Sequence, residues 1–125
     1  MSDQPSQPLT SHKQVDFVTV IRLEAPCRLI EEPLIESLQD ELLGLAQNLY
    51  PPVVVLDLSL VEFFSSSFIE VLFRVWNRLQ QHPDGKMVLA SVHPYCREVL
   101  EVTHLDKLWP IYHTANEAVK TLASS

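Results

Sequence analysis

The stretch from Val53 to Leu79 constrains the fold of this chain more than any other. A continuous apolar run, Val53-Val54-Val55-Leu56, ends on Asp57. Short unbroken runs of Val and Leu are typical of strands that are buried on both faces, inside a sheet covered by helices. After three consecutive serines the apolar residues take the spacing of one helix face: Phe68, Ile69, Leu72, Phe73, Val75, Trp76 and Leu79. The stretch therefore predicts a buried strand, a hydroxyl-rich turn and a helix.

The three serines, Ser65, Ser66 and Ser67, form what we call the serine turn, and they fall at the predicted N-terminus of the helix. Open α/β folds place functional groups at such positions. A serine can cap the helix, because its side-chain oxygen accepts from the free N–H groups of the first turn. The same N–H groups and the helix dipole would favour a phosphate on a serine. On local sequence alone, one capping serine and two small spacers is the better interpretation.

The serines do not indicate an enzyme. The two glycines, Gly44 and Gly85, lie elsewhere, so there is no Gly-x-Ser-x-Gly elbow. No general base or oxyanion site accompanies the serines. The five histidines are scattered without HExxH spacing, and Cys27 and Cys96 lack CxxC spacing. We therefore expect a non-enzymatic protein with no cofactor, no metal site and two reduced structural thiols.

Strands and helices alternate along most of the chain. We predict strands over 15–23, the central run, 86–92 and 109–112, and helices over 31–49, from the serine turn to Leu79, from Pro94 to about Val102, and from a Thr114 cap to Leu122. This order predicts an α/β fold with a mixed, mostly parallel sheet of four to five strands and about four helices. Residues 1–14, rich in Ser, Pro and Gln, are expected to form a flexible tail, and residues 15–125 a single domain.

Charge and hydropathy narrow the classes of partner. The net charge of −7 and the pI of about 5.1 argue against a general affinity for nucleic acid or for anionic membranes. No apolar run approaches membrane-spanning length, so direct membrane insertion is not expected. The first residues lack the basic and apolar regions of a secretory signal, which makes a cytoplasmic location the default.

The run VVLDLSLVEFFSSSFIEVLFRVWNRL resembles the central segment of STAS domains, the fold of bacterial anti-sigma factor antagonists. The family pattern is a hydrophobic strand, Asp-Leu-Ser, a few residues, and then Asp-Ser-Ser-Gly at the start of a helix. Downstream segments are similar to later parts of the family in the same order: Lys86–Val92, His93-Pro94 with Val99-Leu100, Leu105–Leu108 and Ala115–Ala118. The resemblance covers the chain from about Val15 onward and implies a single STAS-type domain, whose usual first edge strand would come from the predicted tail.

The resemblance also implies roles for single residues. It places Ser67 on the serine that partner kinases phosphorylate in phospho-regulated members, and Ser66 on the serine before it. This chain departs from the Asp-Ser-Ser-Gly pattern, because Ser65 stands in place of Asp and Phe68 in place of Gly. A bulky Phe68 would either shield Ser67 or pack into the core. Independently of the family, Asp57 at the end of the central strand is expected to order the loop before Ser65 through side-chain to backbone hydrogen bonds.

The function implied by the resemblance is that of an anti-sigma factor antagonist. Such a protein binds an anti-sigma factor that is also a serine kinase of the histidine-kinase-like ATPase type, and phosphorylation at Ser67 or Ser66 would switch the complex. The candidate partner-binding residues are Ser65, Ser66, Ser67, Phe68, Arg74 and Arg78. The alternative is a STAS scaffold that is not phosphorylated, or an accessory subunit of a signalling or lipid-transport complex. The substitutions at Ser65 and Phe68 favour this alternative more than an unaltered pattern would.

Overall fold

The computed structural model describes residues 8–124, which form a five-stranded sheet, a two-stranded sheet and four α-helices. The elements follow in the order β1 (Thr10–Val15), β2 (Val18–Leu23), β3 (Leu29–Ile30), α1 (Leu34–Asn48), β4 (Val53–Asp57), β5 (Phe63–Phe64), α2 (Ser66–Leu79), β6 (Lys86–Ala90), α3 (Pro94–Val102), β7 (Ile111–Tyr112) and α4 (Ala115–Ala123). The large sheet has the strand order β1-β2-β4-β6-β7, and its only antiparallel pair among the described residues is β1 with β2. The predicted α/β fold with a mixed, mostly parallel sheet is confirmed.

The central strand β4 is buried on both faces, as its apolar run predicts. Val54 and Leu56 belong to the larger core, which includes buried residues of α1 and α2. Val53 and Val55 belong to a second core, which includes residues of α4. Because side chains alternate along a strand, a strand with helices on both sides needs an apolar residue at every position. None of the helices in residues 8–124 is both long and apolar enough to cross a membrane.

Residues 15–23, predicted as one strand, instead contain the end of β1, a turn and β2. Together β1 and β2 form an antiparallel hairpin. β1 and β2 pair along their whole length, from Thr10 opposite Leu23 to Val15 opposite Val18. Asp16 takes the left-handed conformation at the turn, with φ of 58°. The sheet therefore begins inside the segment that the sequence predicted as a flexible tail, while residues 1–7 of that tail lie outside the described residues. The polar edge strand shows no apolar alternation, so the sequence pattern does not reveal it.

Most element ends lie close to their predicted positions, and the differences have local causes. α1 begins at Leu34 rather than at residue 31, after an N-cap at Pro33. β6 ends at Ala90 rather than at residue 92, because Ser91 adopts a left-handed backbone with φ of 59°. α4 begins after Thr114, whose side chain accepts a hydrogen bond from the N–H of Glu117, as a threonine N-cap should.

Candidate functional site

The serine turn lies at the carboxyl end of β4, on the side of the sheet covered by α1 and α2. After β4 the chain forms the short strand β5, which pairs in parallel with β3. The backbone N–H of Ser65 donates to the carbonyl of Ile30 at 2.9 Å, and the N–H of Phe68 donates to the carbonyl of Ser65 at 3.0 Å. The small sheet of β3 and β5 thus fixes the point at which α2 begins.

Ser65 occupies the N-cap position of α2 but does not cap it through its side chain. Its backbone is extended, as expected of an N-cap, yet its hydroxyl makes no capping hydrogen bond. The Ser65 Oγ atom is buried and has no hydrogen-bond partner among the described residues. A serine therefore occupies the N-cap position, as expected. Its side chain, however, does not make the expected capping hydrogen bond. A direct contact of the Ser65 hydroxyl with a partner is also disfavoured by its burial.

Ser66 and Ser67 differ in exposure. Ser66 is exposed at the first residue of α2, whereas Ser67 is half-buried. Residues four apart share one face of a helix, so Ser66 begins a stripe that continues through Glu70, Arg74 and Arg78. Within the serine turn, the Ser66 hydroxyl is thus the one most accessible to an enzyme or a partner.

Phe68 is a core residue. Its side chain has 0% exposure, and its ring centroid lies 5.3 Å from that of Phe64. Of the two outcomes considered for this residue, packing into the core is the one that the structure adopts. The expectation that Phe68 contacts a partner is therefore wrong for its side chain, because a fully buried ring offers no surface.

Asp57 orders the start of the loop that leads to the serine turn. Its Oδ1 atom accepts a hydrogen bond from the N–H of Ser59 at 2.9 Å. The loop is held at two further points: the N–H of Leu58 donates to the carbonyl of Ala90 at 2.9 Å, and Nε2 of His93 bonds the carbonyl of Ser59 at 2.9 Å. This geometry supports the predicted role of Asp57 and adds His93, which was not among the predicted site residues.

Arg74 and Arg78 lie on the outer side of α2 and reach across to α1. Arg74 donates to the side-chain oxygen of Gln39 at 2.5 Å, and Arg78 donates to that of Gln47 at 3.0 Å. Arg74 also lies 4.0 Å from the carboxylate of Glu70. Exposed bonds of this kind contribute little to stability and exchange readily with a partner's groups. Both arginines therefore remain available for an interface on the same stripe as Ser66.

Sequence patterns missed an exposed apolar surface beside the serine turn. Leu29 and Phe63 are register partners in the β3–β5 pair, and Tyr95 at the start of α3 stacks on Phe63 with ring centroids 5.9 Å apart. The exposed fraction is 42% for Leu29 and 54% for Tyr95. Each strand of this pair has only two residues. The alternation of an outward and an inward residue is therefore too short to recognise in sequence.

Cys27 and Cys96 are free, buried thiols, as expected. Burial raises the pKa of both, and the pKa of Cys27 reaches about 11. The Cys96 thiol donates to the carbonyl of Glu62 at 3.7 Å, under the loop that precedes β5. Protonated, buried thiols are poor nucleophiles and poor metal ligands, so these residues pack the core.

Known proteins with this architecture match the chain over most of its length. The family model of the STAS domain matches residues 11–118. An anti-sigma-factor antagonist (STAS) domain protein from Planctomyces limnophilus has a structure that gives a TM-score of 0.82 at 41% identity, over 90% of this chain and 95% of that one. An anti-sigma factor antagonist from Mycobacterium paratuberculosis gives a TM-score of 0.77 at 25% identity, over 90% of this chain and 91% of that one.

A curated relative matches a shorter part of the chain. It is a Bordetella bronchiseptica protein named as a candidate anti-sigma factor antagonist, BtrV, and it is 32% identical over 65 residues. The match covers 52% of this chain, and the chain spans about half the length of that relative, 55%. The family model, in contrast, runs from β1 into α4 and includes the serine turn. On the evidence of its fold and of this match, the chain belongs to the STAS domain family.

Proposed function

We propose that this protein is an anti-sigma factor antagonist, a non-enzymatic binding protein that an anti-sigma factor engages through the serine turn and the outer stripe of α2. The partner is a serine kinase of the histidine-kinase-like ATPase type, and it phosphorylates the serine turn to end its own binding. The observation that carries this proposal is the exposure of Ser66 at the start of α2, on the same stripe as Arg74 and Arg78. The names of the STAS relatives support the same role.

Exposure favours Ser66 over Ser67 as the phosphate acceptor. A kinase must bring the hydroxyl to the terminal phosphate of ATP, and a half-buried hydroxyl on the first turn of a helix meets that need less well. A phosphate on Ser66 would lie at the N-terminus of α2, where free N–H groups and the helix dipole stabilise negative charge. The first turn of α2 carries no acidic residue that would repel it.

Phosphorylation would release the partner by adding charge and volume to the interface. A phosphoserine carries close to two negative charges at neutral pH, and these must lose water when a partner covers them. Glu70 follows Ser66 on the same stripe and adds a negative charge of its own. Repulsion from an acidic partner surface that pairs with Arg74 and Arg78, together with the cost of desolvation, would then favour dissociation.

A STAS scaffold that is not phosphorylated is the second candidate function. Two observations favour it: the ring of Phe68 fills the core below the turn, and the Ser65 hydroxyl is enclosed without a partner. Both residues replace those of the usual Asp-Ser-Ser-Gly pattern. In this case the serine turn is a structural start to α2, and the protein is an adaptor in a signalling or lipid-transport complex.

The deciding experiment is intact-mass analysis after incubation with ATP and the anti-sigma kinase from the chain's own genome. The wild-type protein is expected to gain one phosphate, and Ser66→Ala to gain none. Ser67→Ala tests the neighbouring hydroxyl in the same way. Ser65→Ala is the matched control, because its hydroxyl is buried and its loss should leave the phosphate adduct unchanged.

The outcomes separate the two functions. A phosphate that is lost only in Ser67→Ala would keep the switch and move it by one residue. A protein that binds the kinase but gains no phosphate on Ser66 or Ser67 would refute the switch and leave the scaffold. A protein that neither binds nor is phosphorylated would refute the antagonist role.

A further inference from the structure

An apolar pad, which we define as Leu29, Phe63 and Tyr95, lies on the outer face of the β3–β5 sheet. Parallel register partners project to the same face, so Leu29 and Phe63 stand side by side, while Ile30 and Phe64 point into the core. Tyr95 extends the pad from a third segment by stacking on Phe63. The pad therefore combines residues that are far apart in the chain into one contiguous apolar surface.

An exposed ion pair lies next to the pad. Arg28 and Glu62 immediately precede the two strands and pair with each other at 3.1 Å, and both are more than half exposed. The pad itself carries no charged side chain. A group that covers the pad would therefore gain chiefly by apolar burial and aromatic contact with these three side chains.

The pad is continuous with the serine turn. Ser65 follows Phe63 by two residues, and its N–H is bonded to the carbonyl of Ile30, next to Leu29. Three side chains are too few for a separate stable interface, which usually needs about 20 residues or more on each side. They are the right size for an anchor inside a larger interface, where a few buried aromatic residues supply most of the affinity.

We infer that the pad is a phosphorylation-independent anchor for the anti-sigma factor of the proposed function, and that it accepts an apolar side chain from that partner. The inference rests on the proposed function and deepens it. Phosphorylation of the serine turn would release the anti-sigma factor, and the pad would supply much of the affinity for it. Because the pad itself is uncharged, its contribution should be the same whether or not Ser66 carries negative charge.

The test is the dissociation constant for the anti-sigma kinase of the phosphorylation experiment, measured with a non-hydrolysable ATP analogue so that no phosphate is transferred. Tyr95→Ser is expected to raise the dissociation constant about tenfold or more. Leu29→Ser, on a different element, should raise it in the same direction. Tyr50→Ser is the matched control: Tyr50 is 84% exposed and precedes the amino end of β4, away from the serine turn, so the constant should stay within about twofold.

A double-variant cycle tests the independence from phosphorylation. Tyr95→Ser should weaken binding by the same factor in the wild type and in Ser66→Glu, because the two groups do not interact. If Tyr95→Ser and Leu29→Ser both bind the kinase with the dissociation constant of the wild type, the pad is not an anchor, and the proposed function still stands. Absence of wild-type binding would overturn both. A factor that differs several-fold between the two backgrounds would overturn the independence.

Discussion

Phe68, the residue that the STAS resemblance places on a family glycine, has its ring in the core. It is fully buried against Phe64 at the start of α2. We expect Phe68→Ala to lower the free energy of unfolding by about 3–5 kcal/mol, because it leaves a cavity that the surrounding core cannot fill. Phe17→Ala is the control: Phe17 is 46% exposed, and its loss should cost less than about 1 kcal/mol. Urea denaturation measures both, and equal effects would contradict the core position of Phe68.

The Cys27 thiol predicts a pH dependence of stability. Burial, with smaller contributions from Glu41 and Glu24, raises its pKa from 9.0 to about 11. The folded protein holds this proton more tightly than the unfolded chain does, so the contribution to stability is complete below pH 9.0 and is lost as the pH rises towards about 11.

Cys27→Ala isolates this effect from other groups that titrate at high pH. The variant loses the packing contacts of the Cys27 sulfur at every pH. This loss lowers its free energy of unfolding by a constant amount and leaves the pH dependence unaffected. Between pH 9 and about 11, its free energy of unfolding should fall less steeply than that of the wild type. Parallel curves over this range would show that the thiol does not titrate differently on folding.

Helices α2 and α4 both have a hydroxyl residue at the N-cap, but only one of these residues caps its helix through the side chain. Substitution by alanine should therefore affect stability differently at the two positions. Thr114 accepts a hydrogen bond from the N–H of Glu117 at 3.0 Å, whereas the Ser65 hydroxyl is buried and accepts none from its helix. Thr114→Ala should lower the free energy of unfolding by about 1 kcal/mol. Ser65→Ala should leave it unchanged within about 0.5 kcal/mol or raise it, because an unsatisfied buried hydroxyl is removed. Denaturation of both variants in one buffer tests the ranking, and the reverse order would contradict these assignments.

The edge strand β1 belongs to the folded sheet, although it lies before the predicted domain boundary at Val15. All six residues of β1 have register partners in β2, and Thr10 also donates a hydrogen bond to the carboxylate of Glu41 in α1. A truncated protein that starts at Val15, the predicted domain boundary, should therefore lose at least about 2 kcal/mol of stability, from several backbone hydrogen bonds of about 1 kcal/mol each. Replacing both His12 and Lys13 by Ala keeps the backbone ladder and should change stability by less than about 0.5 kcal/mol. Thermal melts that place the truncated protein level with this double variant would contradict the role of β1.

The sequence was sufficient for the elements whose patterns are local. An unbroken apolar run identified β4, a spacing of three and four residues identified α1 and α2, and a threonine before α4 identified its cap. These patterns can be recognised because each element buries one face, and the spacing of its apolar residues along the sequence shows that face directly. The alternation of such elements was enough for the α/β class and, with the serine turn, for the STAS resemblance.

The tertiary structure decided the features that depend on residues far apart. The polar strand β1 is held by its backbone pairing with β2, which no side-chain pattern records. The inward direction of Phe68 follows from its packing against Phe64 and the core, and the difference in exposure between Ser66 and Ser67 follows from the placement of α2. The apolar pad forms because three separate segments meet at the carboxyl edge of the sheet. Burial and contact of this kind arise from the packing of distant elements, so a one-dimensional pattern determines the elements and the assembled fold determines the site.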